Sequence, residues 1–496
     1  MRIVVLVPSE AYRGFAGARI RYDRIAPDLA RQGVELALVD IGKFDPETAD
    51  CDGIVISKCH DARALVAAAE LARRGKIVGV DLFDDYFSQA SDSRLIRYRN
   101  WLAQLLPLCG FALCSTEAMA EIVAQYRKAL PTHVMNDPAP SESFASALAS
   151  AERKLAEARD SRQIRLCWFG VGDNPYFPVG LADLASYASV LAMLSATGFD
   201  VRLKVVTNER ALSANGLSML TRLPVRTEIE QWSEQAEQDA LEQAFTAFIP
   251  VSAQPFSVGK SLNRAVTALS AGCQVLSAGY PLYEALDPLI YRDPAVLLRD
   301  LERGTMRFSA KSQSRHRRVL ESCASAETEA TKLAAFLKGL EPQSSGDPRA
   351  LCLIHGHSTR LEAHSFVRQA NGLSVASPYC SAPFDFDVIF RGAPFGLSML
   401  VSKSAEGRLL PDVRERTRPG ERIKGRPYLQ IAGFGGANGH APEDDHWERA
   451  PIPFQLATYR ESLSQVQRAL TEAFGPCRMF VCETRPLPFP LPEQVS

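Results

Sequence analysis

The chain has 496 residues, enough for about three domains at roughly 150 residues each. Its 46% hydrophobic and 23% charged residues are an ordinary globular mix, which excludes a wholly disordered chain, a collagen-like fibre and a small disulfide scaffold. Lys plus Arg number 56 against 57 Asp plus Glu, a net charge of −1. No whole-protein attraction to nucleic acid or anionic lipid is expected, and the weak colloidal repulsion leaves a homo-oligomer open.

Residues 1–140 alternate strand and helix. RIVVLV (2–7) is an apolar run of strand length, and 19–32 carries helical spacing. VELALV (34–39), GIVIS (53–57), an Ala-rich helix over 62–73 and KIVGVD (76–81) follow. A helix over about 94–106, FALCS (111–115), a helix over 116–128 and THVMN (132–136) complete the run. Strands apolar on both faces, alternating with amphipathic helices, predict a parallel sheet covered on two sides. Residues 141–163 predict a polar helix ending in a linker, DSRQ. The alternation then restarts with IRLCWFG (164–170), a helix over 181–197, VRLKVVTN (201–208), AFTAFIPV (244–251), a helix over 257–271 and QVLSA (274–278), with helices to about 340. EPQSSGDPR is a boundary rich in turn residues. Beyond it, 345–496 holds short apolar segments (ALCLIH, FDVIFRG, LSMLVSK, YLQIAGFGG, RMFVCE) and one helical stretch at about 456–474, read as a separate α+β domain.

The 11 cysteines include no CxxC pair; several sit in apolar runs, as Cys114 and Cys167 do, and read as buried reduced thiols. No run of 18 apolar residues predicts a spanning helix, and MRIVVLVPSE is too short for a signal-peptide core. The expected location is cytoplasmic, free or peripheral to the membrane.

The most informative stretch is 229–279. A Trp-containing loop, a helix and an apolar strand lead into a Pro-containing loop, then Gly259-Lys260 opens a helix that ends at Ala271-Gly272. Lys260 and Arg264, four apart, are expected on one face of its first turns. Two cations at the positive end of a helix dipole repel one another, and a bound phosphate or diphosphate relieves that conflict. Ser261 and Asn263 offer neutral hydrogen bonds beside them.

This stretch resembles the donor-binding half of bacterial glycosyltransferases of the GT-B fold, of the family-4 type. The resemblance rests on Trp232-Ser233, Pro250, Gly259-Lys260, Arg264 and Ala271-Gly272; as a fold it covers about residues 1–340. It implies two tandem Rossmann-like domains, acceptor-side 1–140 and donor-side 164–340, and transfer of a sugar from a nucleotide donor in the cleft between them. The acceptor would be a saccharide, a lipid-linked sugar or a protein. Lys260 and Arg264 would stabilise the leaving diphosphate without a metal. The family's ribose-holding Glu stands as Thr267 here, and the earlier Glu of its Glu-x7-Glu pair falls at Gly259. The substitutions keep a second reading open, a non-catalytic binding or scaffold protein acting through 345–496.

Other residues follow the strand ends, where parallel sheets collect their ligands. Gly14 and Gly17 lie in the first loop, with Arg13, Arg19 and Arg21 as candidate anion contacts; GFAG is not a GxGxxG fingerprint, so no nicotinamide cofactor is indicated. Lys58, His60 and Asp61 follow the third strand. In the resembling family a His here serves the acceptor side, so His60 is the catalytic candidate, while Asp61 suits a helix cap as well. Asp81, Asp84 and Asp85 form an acidic loop that could hold a metal, act as a base or bind acceptor hydroxyls, or serve capping and turn chemistry. Thr116 with Glu117 predicts an N-cap. Gly170 and Gly172 follow the first strand of the second half, where a diphosphate would approach backbone N–H groups, with Asp173 and Asn174 nearby. Five histidines (355, 357, 364, 440, 446) fall in the third domain with no metal-ligand spacing, so no metal is expected. The basic segment 414–426 reads as a solvated loop or as a contact for an anionic acceptor, a membrane surface or nucleic acid; given the net charge, nucleic acid is not an expected partner.

Overall fold

A computed structural model describes residues 1–342 except 47, 61, 91 and 140–143, together with strand segments between 349 and 483. In the first half β1 (Arg2–Val7), β2 (Glu35–Asp40), β3 (Gly53–Ser57), β4 (Ile77–Leu82), β5 (Phe111–Cys114) and β6 (Thr132–Val134) form a parallel sheet ordered β2-β1-β3-β4-β5-β6. β3 and β4 are buried along their whole length, as expected of Val/Ile/Leu runs covered by helices on both faces. In the second half β7 (Gln163–Gly170), β8 (Asp200–Thr207), β9 (Arg226–Gln231), β10 (Thr246–Phe248) and β11 (Gln274–Leu276) form a parallel sheet ordered β11-β10-β7-β8-β9. The two tandem Rossmann-like halves are therefore present. Among the described residues no helix is long and apolar enough to cross a membrane, and seven cysteines, Cys114 and Cys167 among them, are free and buried.

Four expectations need correction. The helix expected over 19–32 is split: Arg19–Asp23 is a π-helical turn and the α-helix spans only Ala26–Arg31. The helix expected over 257–271 is broken into Pro255–Val258 and Asn263–Ser270, so Lys260 stands in the connecting turn and not on one helical face with Arg264. The cause is tertiary: Ser115 Oγ, in the first half, donates to the Gly259 carbonyl at 2.6 Å. The expected linker DSRQ is not a linker, because helix Phe144–Ser161 runs into β7 with Arg162 alone, at φ 50°, making the turn. Helix Ala326–Lys338, expected to finish the second half, buries its apolar face on the first. Its Ala330, Leu333, Ala334 and Leu337 are buried with Ile3, Val5 and Phe111 in the core of the first sheet.

Helix Phe144–Ser161 explains the Ala-Gly pair. Gly272 adopts φ 75°, and a Cβ there would lie 2.7 Å from the Ala147 carbonyl oxygen. The buried Lys154 ammonium donates to the Leu241 and Ala271 carbonyls, each at 2.7 Å, tying this helix to the end of Asn263–Ser270.

In the C-terminal region β12 (Arg349–Gly356) pairs parallel with β17 (Cys477–Glu483) and antiparallel with β13 (Asp385–Phe390), which pairs with β16 (Gln430–Ile431); β14 (Ser398–Lys403) and β15 (Leu409–Arg414) form a hairpin-like pair. The expected helix at 456–474, residues 415–426 and His357, His364, His440 and His446 lie outside the described residues.

Candidate functional site

The loops after β1, β4, β5 and β6 meet those after β7, β9 and β10, so the carboxyl ends of the two sheets face each other. Cross-cleft contacts show this. Ser261 Oγ donates to Asp137 Oδ2 at 2.5 Å, Arg94 Nη2 donates to the Tyr176 carbonyl at 3.0 Å, and Lys260 pairs with Asp84.

Arg264 rises from the first turn of Asn263–Ser270. Its guanidinium lies over Trp168, 4.8 Å from the ring centroid, and beside Phe169 at 5.7 Å. Its Nε and Nη2 are buried without a hydrogen-bond partner. Such donors are costly unless something receives them. Gly170, at φ 137°, keeps the chain close: a Cβ there would come 3.4 Å from Arg264 Nε. At the helix start Leu262, the N-cap, contributes no side-chain acceptor, and the Asn263 amide reaches only Ser261 Oγ at 3.5 Å. Lys260 keeps 41% of its side-chain surface open to the cleft but stands between two walls. That enclosure, and then the Arg264 charge, lowers its pKa to about 8.

Across the cleft Lys58 follows β3 directly, with φ 58°. Its ammonium lies over Phe83 at 4.3 Å and pairs with Asp84. Burial pushes it well below the ordinary lysine value, and Lys260 opposite adds to this. Asp84 thus links Lys58 through one oxygen and Lys260 through the other.

The remaining acids are already committed. Arg21 binds Asp81 bidentately, Nε to Oδ2 at 2.5 Å and Nη2 to Oδ1 at 2.7 Å, and its Nη1 reaches Asp137 Oδ1 and the Met135 carbonyl, both at 3.0 Å. Desolvation opposes its charge, and Asp81 and Asp137 outweigh it, so Arg21 is held above its ordinary value. Expected as an anion contact, Arg21 is instead 1% exposed and fully partnered, because the carboxylates of Asp81 and Asp137 already fill its fork. Asp85, expected in the cleft, is 2% exposed and accepts from the Phe87 and Ser88 amides, both at 2.9 Å; it makes the turn.

The first loop crosses to the second half: Arg19 pairs with Glu234 and lies over Trp232 at 5.3 Å. Gly17 lets Tyr12 approach, since a Cβ would meet its Oη at 2.4 Å, while nothing lies within 4 Å of a Cβ at Gly14. Gly172 allows close packing, with Thr207 Oγ1 2.4 Å from a Cβ, and its amide donates to Asn208 Oδ1 at 2.8 Å. Asn174 Oδ1 accepts from the Tyr176 and Phe177 amides, and Asp173 is held by Arg210 and Asn208. Thr267 donates to Asn263 Oδ1 at 3.2 Å on its own helix. His60 sits among aromatic edges, with Trp101 at 4.8 Å, Tyr98 at 5.1 Å and Phe87 at 5.9 Å. Asp61 lies outside the described residues. Thr116 is an N-cap as expected, accepting from the Met119 amide at 3.2 Å.

The sequence reading left Lys58 without a role and did not single out Asp137 or Ser115. Each lies at or just past the carboxyl end of a parallel strand, and that position was the available signal. Among the described residues no group of three or more His, Cys, Asp and Glu could hold a metal.

No family model matches the chain, and no curated protein matches it. Solved structures do. HepE of Anabaena, in complex with UDP-glucose, is similar at 12% identity and TM-score 0.49, over 68% of this chain and 100% of that one. An α,α-trehalose 6-phosphate synthase from Burkholderia multivorans is similar at 11% identity and TM-score 0.45, over 68% and 98%. A UDP-forming trehalose-phosphate synthase from Burkholderia xenovorans is similar at 12% identity and TM-score 0.42, over 60% and 75%.

Proposed function

We propose that the protein is a GT-B-type glycosyltransferase, similar to family 4, that moves a sugar from a nucleoside-diphosphate donor to a saccharide, lipid-linked or protein acceptor in the cleft. One observation carries this reading: the buried, unpartnered Nε and Nη2 of Arg264, aimed beside Gly170 at the mouth of the second sheet. A diphosphate supplies the missing acceptors, and Lys260 supplies a second cation. As the bond from the sugar's anomeric carbon to the diphosphate oxygen breaks, these groups receive the negative charge. The acceptor hydroxyl oxygen forms the new bond to the anomeric carbon, and its proton passes to the His60 imidazole. His60 is the proposed acceptor-side residue, set among the ring edges of Trp101, Tyr98 and Phe87.

Thr267 supports the second reading, a binding protein of the same fold. Its hydroxyl is tied to Asn263, and Gly259 has no carboxylate. A carboxylate side chain at 259 would run into Met119 Sδ, 2.9 Å from a Cβ there. The two readings separate by calorimetry followed by turnover. Saturable binding of a nucleoside diphosphate, lost in Arg264→Ala, supports the donor site. Release of the diphosphate from its sugar in the presence of acceptor, lost in His60→Ala, supports transfer. Failure of every nucleotide to bind removes both the donor site and the enzyme.

A further inference from the structure

Asp84 lies where ammonium groups from opposite halves of the molecule converge. One carboxylate oxygen faces Lys58 and the other faces Lys260. Asp81 and Asp137 are bound by Arg21, and Asp84 is the acid that pairs directly with both lysines. It is 13% exposed, and Lys58 is 18% exposed. Lys58 also holds a left-handed backbone, rare for a residue with a Cβ, at the end of a buried strand. Strain of that kind persists where the surroundings enforce it and recurs at ligand sites. A carboxylate and a phosphate ask for the same donors. An anion held by Arg264 and the helix start is therefore brought against the acid that occupies Lys260.

We infer that Asp84 is an internal stand-in anion seated where a diphosphate binds, and that Lys58 becomes a direct diphosphate contact from the first half when Asp84 is displaced. This rests on the donor reading above and extends it: the diphosphate is held from both walls, and the acidic loop after β4 competes for its seat. Asp84 then lowers affinity for the ligand while holding the two halves together without it.

The test is calorimetric titration with nucleoside diphosphates and with the parent nucleosides. Asp84→Asn keeps the shape and removes the competing charge, so diphosphate binding should tighten about tenfold while nucleoside binding stays unchanged. Lys58→Asn, which tolerates the left-handed backbone, should weaken diphosphate binding about tenfold and shrink the gain from Asp84→Asn in the double variant. Melting curves of each variant identify any that fail to fold, and Asp84→Ser then replaces Asp84→Asn with the same expected sign. If the wild type binds diphosphate through Arg264 but Asp84→Asn binds no tighter and Lys58→Asn no weaker, the inference falls and the donor reading stands. If neither wild type nor Asp84→Asn binds, the donor reading falls and takes the inference with it.

Discussion

Lys260 shows how a single residue's surroundings set its use. An exposed lysine is charged throughout the neutral range, but this one, enclosed between two walls and facing Arg264, has its pKa lowered to about 8. Below that value the ammonium is present and an anion gains its full attraction. Above it the free protein loses the proton, and binding must first restore it. The Lys260 share of diphosphate affinity is therefore expected in full below about pH 8 and to be lost as pH rises through it, above the range in which the terminal phosphate itself ionises, at about pH 6. Calorimetry across pH 6–9.5 measures this. Lys260→Arg, charged at every one of these values, should flatten the profile. Arg264 itself was legible from its spacing and its place before an Ala-Gly pair. Its stacking on Trp168 was not, because the contact joins a helix to a strand 96 positions earlier in the chain.

At the scale of elements, the sequence reading succeeded wherever local chemistry decided the outcome. Continuous Val/Ile/Leu runs became the buried central strands, and Thr116 became a cap. It failed where a distant partner decided. Ser115 holds the Gly259 carbonyl from 144 residues away and interrupts what the periodicity reads as one helix. β9 escaped notice because RTEIEQ, an edge strand, is largely exposed and carries no apolar run. Gly272 combines both kinds of information: an Ala-Gly helix end is legible, the helix seated on it is not. Gly272→Ala forces a Cβ into the Ala147 carbonyl at a left-handed φ. The expected loss is about 2 kcal/mol of stability, read by chemical denaturation, with Gly304→Ala, which meets only the Arg159 side chain, costing less.

Residues 1–342 build two sheets joined by a chain that passes out and returns. The Ala139 amide donates to the Ala324 carbonyl at 2.9 Å, where the outgoing and returning segments meet, and helix Ala326–Lys338 closes the first core. Leu337, late in the chain and 1% exposed, is thus part of the first half's stability. Leu337→Ala should cost about 2–4 kcal/mol, with hydrogen-exchange protection lost in β1 and β3 before β7 and β8; the reverse order contradicts this packing. A ligand held between the halves stabilises both, by about 2.7 kcal/mol at a hundredfold excess over Kd. The most direct measurement is the melting temperature with and without a panel of nucleoside diphosphates, in the wild type and in Arg264→Ala. A concentration-dependent rise in the wild type that vanishes in Arg264→Ala is the predicted result. No rise with any nucleotide, or an equal rise in Arg264→Ala, contradicts a donor site at this arginine.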